Sequence, residues 1–270
     1  MGSVPISGLR GDYAEAAADY SVEQRWERYT AEEHALYRRL FERQSKLVPR
    51  YACAEWIEAI SHLDAAREIP RFDAISGQLR KKTGWEIVAV PGLIPDEAFF
   101  THLAERRFPV TVWLRRPEEF DDIVEPDVFH DFFGHVPLLF EPSYADYLCE
   151  YGKGGLKAMR LDAVKMLARL YWYTIEFGLM RTPQGVRAYG AGLMSSGGEL
   201  PYSVEDPRPR RLPFELERVM RTEYRIDTYQ DTYFVIDSFG HLMRETAVDF
   251  APLYARIRPL GRPLGSEHLL

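Results

Sequence analysis

A glutamate sits in the middle of the most apolar helical stretch of this chain. Residues 167–180 read LARLYWYTIEFGLM, apolar nearly all the way round a helix, which marks a buried element rather than a surface one. Glu176 has Trp172, Tyr173, Leu179 and Met180 as helical neighbours and no cation three or four residues away. A carboxylate in that setting has to be paired, protonated or bound to a metal, because burying it alone is too costly. A tertiary ion pair with one of the chain's many arginines would meet the demand equally well.

His130 and His135 stand close together in PDVFHDFFGHVP, residues 126–137. On an α-helix, five residues turn through about 500° and leave the two rings about 140° apart. They converge on one ion only if the helix is ending, and Gly134 with Pro137 supplies such an ending. The spacing is not the His-Glu-x-x-His of zinc proteases, where four residues put both ligands on one face. Taken alone, two neighbouring histidines are more often packing or capping residues. With Glu176 they match the two-histidine, one-carboxylate triad of non-haem Fe(II) oxygenases, which leaves coordination positions open.

Composition narrows the setting. At 46% hydrophobic and 28% charged over 270 residues, the chain reads as an ordinary globular protein. A net charge of −7 without a basic cluster argues against nucleic acid as the main partner. No run of about 18 uncharged apolar residues argues for a membrane span. Residues 1–20 lack an apolar signal core and carry acids, and Cys53 and Cys149 cannot make a disulfide framework. The expected address is the cytoplasm.

Residues 1–28 are polar and aperiodic and read as a flexible tail. Thr30 with Glu33 predicts a capping box and a helix burying Leu36, Tyr37, Leu40, Phe41, Leu47 and Val48. Helices are expected around 56–63 and 72–79, and Pro95-Asp96-Glu97 suits a helix first turn. Strands are expected at 87–90, 110–114 and 232–236. From 126 to 175 the pattern is helical, with breaks at 134–137 and 152–155. Residues 186–196 read as irregular or a hairpin, and 212–220 and 239–257 as helix. The expected fold is mainly α with a few short β-strands (α+β), a single domain over 29–258 with a C-terminal tail at 259–270.

EPDVFHDFFGHVPLL, LYWYTIEFGL, YGAGLMSS and YRIDTYQDTYFVIDSF occur in this order. In these segments the chain resembles the pterin-dependent aromatic amino acid hydroxylases, from about Tyr29 to Tyr254, and most closely the bacterial phenylalanine 4-hydroxylases. The resemblance implies a stand-alone, monomeric catalytic domain that uses Fe(II), a tetrahydropterin such as tetrahydrobiopterin, and O2 on a free aromatic amino acid. It puts the iron ligands at His130, His135 and Glu176. It puts the amino acid site at Arg115, Trp172, Gly192 and Ser195, with the Arg115 guanidinium gripping the substrate carboxylate. It puts the pterin site at Gly92, Leu93 and Ile94, whose backbone meets the heterocycle, with Phe99 stacking on it and Asp131 nearby.

Bland readings stand beside these roles. Arg115 could be a surface arginine, Ser195 a turn cap, and Trp172, Phe99 and Tyr171 core residues. Asp122 stands where bacterial relatives usually carry tyrosine, which makes it a candidate for setting ring preference. The expected reaction is phenylalanine to tyrosine. Tryptophan hydroxylation or another regiochemistry is the alternative within the class. A zinc hydrolase built on His130 and His135, and a non-catalytic metal-stabilised binding module, are the alternatives outside it.

Overall fold

A computed structural model of the chain describes residues 9–265. The Thr30–Glu33 capping box is present: the Thr30 hydroxyl accepts from the Glu33 N–H at 3.1 Å, and the Glu33 carboxylate accepts from the Thr30 N–H at 2.8 Å. These bonds satisfy two orphan donors at the start of α1, Ala31–Tyr51. Helices α2, Ala54–Ser61, and α3, Phe72–Lys82, follow where the apolar spacing predicts them. Strand β1, Glu86–Val90, α4, Asp96–Ala104, and β2, Arg107–Thr111, then make a βαβ unit with the two strands parallel.

The strand expected at 110–114 therefore begins three residues earlier. Its polar first residue disguised it, because the Arg107 guanidinium pairs with Asp19 at 3.1 Å and is not part of the apolar run. Helix α5, Pro142–Arg160, runs unbroken through Gly152 and Gly155, where the sequence suggests a break. Those glycines serve packing rather than termination. A Cβ on Gly155 would lie 2.2 Å from the Phe100 ring of α4, and one on Gly152 would lie 2.5 Å from the Ala104 nitrogen.

Beyond α6, Val164–Tyr171, the hairpin β3, Leu179–Thr182, and β4, Gly185–Ala188, leads into α7, Ala191–Ser195, and α8, Glu199–Glu205. Strand β5, Arg210–Pro213, takes the start of the helix expected at 212, which begins only at α9, Leu216–Arg221. Strand β6, Thr232–Ile236, completes a sheet of order β4-β3-β6-β5. The helix expected over 239–257 is two, α10, Phe239–Thr246, and α11, Phe250–Ile257. Asp249 divides them by capping α11, its carboxylate accepting from the Ala251 N–H at 2.9 Å.

The expectation of a flexible tail through residue 28 does not hold for residues 9–28. Arg10 donates to Glu119 at 2.8 Å and lies over the Trp113 ring at 4.4 Å. The Tyr13 hydroxyl donates to the Leu93 carbonyl at 2.9 Å, the Val22 N–H to Ala89 O at 2.9 Å, and Trp26 Nε1 to Ile69 O at 2.6 Å. An extended strap held by such bonds has no hydrophobic period to read. At the other end the Glu223 N–H bonds the Leu264 carbonyl at 2.9 Å, so residues up to 265 are also tied down. The remainder of both expected tails, 1–8 and 266–270, lies outside the described residues. No helix among the described residues is long and apolar enough to cross a membrane.

Adding a methyl at Gly155 should force α4 and α5 apart. Gly155→Ala is expected to lose about 1–3 kcal/mol in urea unfolding through overpacking. Gly154→Ala, whose Cβ would meet nothing within 4 Å, should be neutral or slightly stabilising. Equal effects of the two would contradict this packing account.

Candidate active site

Two segments leave α-helical geometry, and both carry expected metal ligands. His130–His135 and Trp172–Glu176 are π-helical turns. A π-turn bonds residue i to i+5, so residues five apart come onto one face. His130 and His135 therefore converge without the helix ending between them, a correction to the sequence argument from Gly134 and Pro137. Their ring centroids are 5.3 Å apart at 79°. The second turn is closed by the Phe177 N–H on the Trp172 carbonyl at 2.8 Å, an i→i+5 bond.

Glu176 reaches both rings. Its Oε1 lies 3.2 Å from His135 Nε2 and its Oε2 lies 3.6 Å from His130 Nε2. Burial opposes the charge on Glu176, but His135, His130 and the Tyr171 hydroxyl outweigh it and hold the carboxyl below its ordinary value. Burial pushes the His130 imidazole down to about 4, so it is neutral near pH 7. Its Nδ1 lies 2.8 Å from Ser195 Oγ, whose single proton goes to the Ala191 carbonyl at 3.0 Å. With the hydroxyl proton on that carbonyl, Oγ accepts from Nδ1–H, and this tautomer presents Nε2 as a bare lone pair.

A bare imidazole nitrogen facing a carboxylate oxygen is a repulsive contact unless a cation lies between them. The donor set thus fits a metal ion, with the outer nitrogen of His130 held by Ser195 as ligating histidines usually are. Asp131 also offers an oxygen within 4.8 Å of a nitrogen from each histidine. That carboxylate is already engaged, accepting from the Thr111 N–H at 2.8 Å, and burial pushes it up to about 7. Glu176, in contact with both Nε2 atoms, is the better third donor.

Arg115 is not the surface residue of the bland reading; it is 3% exposed. Its Nε and Nη2 grip Asp127 at 2.8 and 3.0 Å, and Nη1 reaches the Phe120 carbonyl at 3.4 Å. One N–H on each end nitrogen is left over from the five of a guanidinium. Asp127 also accepts from the Arg115 and His130 main-chain N–H groups, both at 2.9 Å. The sequence reading passed over Asp127; its signal was an acid three residues ahead of His130, as at a helix start.

One cavity is lined by His130, His135 and Glu176 together with Gly92, Leu93, Ile94, Phe99, Asp131, Tyr171 and Trp172. All the expected metal and pterin residues thus share one wall system, with Trp172 of the substrate set. The Trp172 indole stacks on Tyr224 at 4.4 Å and donates from Nε1 to Gln230 at 3.1 Å. Tyr224 and Gln230, also unforeseen, come from a loop without periodicity. Arg115, Gly192, Ser195 and Asp122 do not line this cavity. Gly192 packs behind it, where a Cβ would meet the Phe177 ring at 2.9 Å, and Asp122 is exposed.

In this α+β domain two histidines and one glutamate converge beside an aromatic cavity, an arrangement that can hold a single metal ion. A sequence model of the biopterin-dependent aromatic amino acid hydroxylases matches residues 7–256, and the chain belongs to that family. It is 56% identical over 243 residues to a phenylalanine-4-hydroxylase of Ralstonia nicotianae, covering 90% of this chain and 78% of that one. It is also 56% identical to the Chromobacterium violaceum phenylalanine-4-hydroxylase, covering 89% and 82%. The crystal structure of the C. violaceum phenylalanine hydroxylase with iron and phenylalanine bound superposes with a TM-score of 0.88 at 54% identity, covering 96% of this chain and 93% of that one.

Removing the hydroxyl that holds His130 should loosen the metal while sparing the fold. Ser195→Ala is expected to weaken Fe(II) affinity about 10- to 100-fold in anaerobic metal titration; unchanged affinity would reject its role. The Arg115–Asp127 pair has a signature in acid. Burial raises the Asp127 carboxyl, but Arg115 and the bonds it receives prevail and hold it below 3.8. Its contribution is therefore complete above the unfolded value near 3.8 and is lost as pH falls through the lower folded value. Asp127→Asn should flatten the acid limb of the stability profile below about pH 4, read by urea unfolding.

Proposed function

We propose that the protein is an Fe(II)- and tetrahydropterin-dependent monooxygenase that converts free L-phenylalanine to L-tyrosine with O2, working in the cytoplasm. The convergence of His130, His135 and Glu176 on the cavity bordered by Gly92–Phe99 is the observation that carries this reading. Bound together, iron and the reduced pterin supply the activation of O2 that places one oxygen atom on the aromatic ring.

The chain's own residues supply position and dryness. His130, His135 and Glu176 would hold the metal ion at the wall of the cavity they line. Phe99, edge-on to Tyr171 at 5.7 Å, offers a flat face to the bicyclic pterin beside the backbone of Gly92–Ile94. Asp131, which burial raises to about 7, can donate a hydrogen bond toward the cofactor side in its protonated form. Trp172 walls the space for the substrate ring. The spare N–H groups of Arg115 suit the amino acid carboxylate, with Asp127 fixing the guanidinium in place.

A hydrolase would instead need a general base beside an open metal position. Its one candidate, Asp131, has an oxygen committed to the Thr111 N–H. Asp122 stays a candidate for ring preference, exposed on the loop that follows Arg115.

The deciding experiment loads the protein anaerobically with Fe(II), then adds O2 and a tetrahydropterin with phenylalanine, tyrosine or tryptophan separately. Tyrosine should form from phenylalanine with consumption of pterin. No product from phenylalanine, or preferential oxidation of tryptophan, would overturn the substrate assignment. Glu176→Ala should lose iron and turnover together, and Phe99→Ala should raise the pterin KM while leaving iron content and phenylalanine KM unchanged.

A further inference from the structure

Helix α1 turns two adjacent polar side chains, Arg43 and Gln44, inward. Gln44 is completely buried, accepting from Arg43 Nε at 3.0 Å and donating to the carbonyls of Met194 at 2.5 Å and Ser196 at 3.2 Å. Arg43 donates from Nη2 to the Ser195 carbonyl at 3.3 Å. From Nη1 it donates to the Phe120 carbonyl at 3.0 Å and to Asp121 at 3.1 Å, with its guanidinium over the Phe120 ring at 4.7 Å. Three consecutive carbonyls, 194–196, and the carbonyl of a loop more than seventy residues earlier thus meet on one Arg–Gln pair.

Both tethered segments carry parts of the site. Ser195 holds His130 Nδ1 through its hydroxyl, while its own carbonyl is held by Arg43. The Phe120 carbonyl accepts from Arg43 and from Arg115 as well. The connection therefore runs from Arg115 through Phe120 and Arg43 to Ser195 and His130. A planar guanidinium with five donors can bridge acceptors on three segments at once, whereas an ammonium acts as a point charge. Gly197 keeps the path clear, since a Cβ there would lie 2.9 Å from Arg43 Nε.

We propose that Arg43, supported by Gln44, is a positioning residue for the amino acid site, registering the loop that carries Arg115 against the segment that holds the metal ligand His130. The inference deepens the proposed phenylalanine hydroxylation and rests on it. Its consequence is selective: losing Arg43 disturbs substrate placement and the histidine shell, while the pterin wall at Gly92–Phe99 is untouched.

The test compares Arg43→Ala and Arg43→Lys with the wild type. Phenylalanine binding is measured by equilibrium dialysis on the anaerobic Fe(II)-loaded protein, alongside the pterin KM and the tyrosine formed per pterin oxidised. Arg43→Ala should bind phenylalanine about tenfold more weakly, as expected for one lost charge-assisted hydrogen bond, with pterin KM within about twofold and lower coupling. Arg43→Lys should recover only part of the affinity. Phenylalanine affinity within about twofold of wild type in the folded variants, equal losses for substrate and pterin, or full rescue by lysine would overturn the proposal.

If Arg43→Ala does not fold, Arg43→Lys decides on the same ratio of substrate to pterin effects. If the wild type binds no phenylalanine, the substrate reading itself fails, and the visible spectra of the Co(II)-loaded proteins decide on positioning alone. A shift of the d–d bands in the Arg43 variants would support it, and superposable spectra would overturn it.

Discussion

Taking the Glu176 carboxylate out of water sets a requirement that its surroundings have to meet with positive charge. Two imidazoles and the Tyr171 hydroxyl approach this carboxylate, and the imidazole held by Ser195 turns a lone pair toward it. Burial of that histidine keeps it neutral and so withholds the compensating proton. A divalent cation would turn the same three donors into a coordination shell. The apolar helix around Glu176 is then intelligible. It excludes the water and the competing cations that would otherwise satisfy the carboxylate without a metal.

A shell of this kind is only as accurate as the backbone behind it, and the fold holds that backbone from several directions. Asp127 ties the His130 main chain to Arg115, and Thr111 at the end of β2 holds Asp131. Gly134 packs directly on α7, where a Cβ would come 2.7 Å from the Ala191 carbonyl, so the π-turn and the helix bearing Ser195 are in close contact. The cofactor side is built by different elements. The β1–α4 loop carries Gly92–Ile94 and the first turn of α4 carries Phe99, and the loop is held from outside by the Tyr13 hydroxyl of the N-terminal strap on the Leu93 carbonyl. Metal shell and cofactor wall meet at one cavity and are joined by Asp131, which lies in the π-turn of the two histidines and is held by Thr111 of β2, the partner strand of β1.

How much of this could be read from the chain follows the range of the forces involved. Capping, amphipathic period and the anomaly of a buried acid are local, and they gave α1, α3, β1, β6 and the suspicion attached to Glu176. Glycine was misread at 152 and 155 because a breaker and a close-packing residue look alike until the partner helix is known. The strap over 9–28 was missed because its bonds join side chains to distant backbone. Arg115 was legible as a guanidinium with a purpose, but its commitment to Asp127, twelve residues on, needed the fold. Gln44 carries no local signal, and only the carbonyls of Met194 and Ser196 show why it is buried.

The two π-turns show where local preference yields to the site. An α-helix through 130–135 would save the geometric strain of a wider turn, yet it would send the two rings to different faces. Sequence reasoning treated this as a difficulty and sought a helix end at Gly134. The chain adds the extra residue per turn instead, and keeps both histidines on a continuous, buried, hydrogen-bonded backbone. A helix end would have exposed carbonyls beside the metal. A π-turn keeps the backbone hydrogen-bonded through the segment. In the second π-turn Trp172 and Glu176, four residues apart and so neighbours on an α-helix as well, line one cavity with the two histidines. A reversion of either turn to α-geometry, by deleting one residue within it, would rotate half of the site away from the other half.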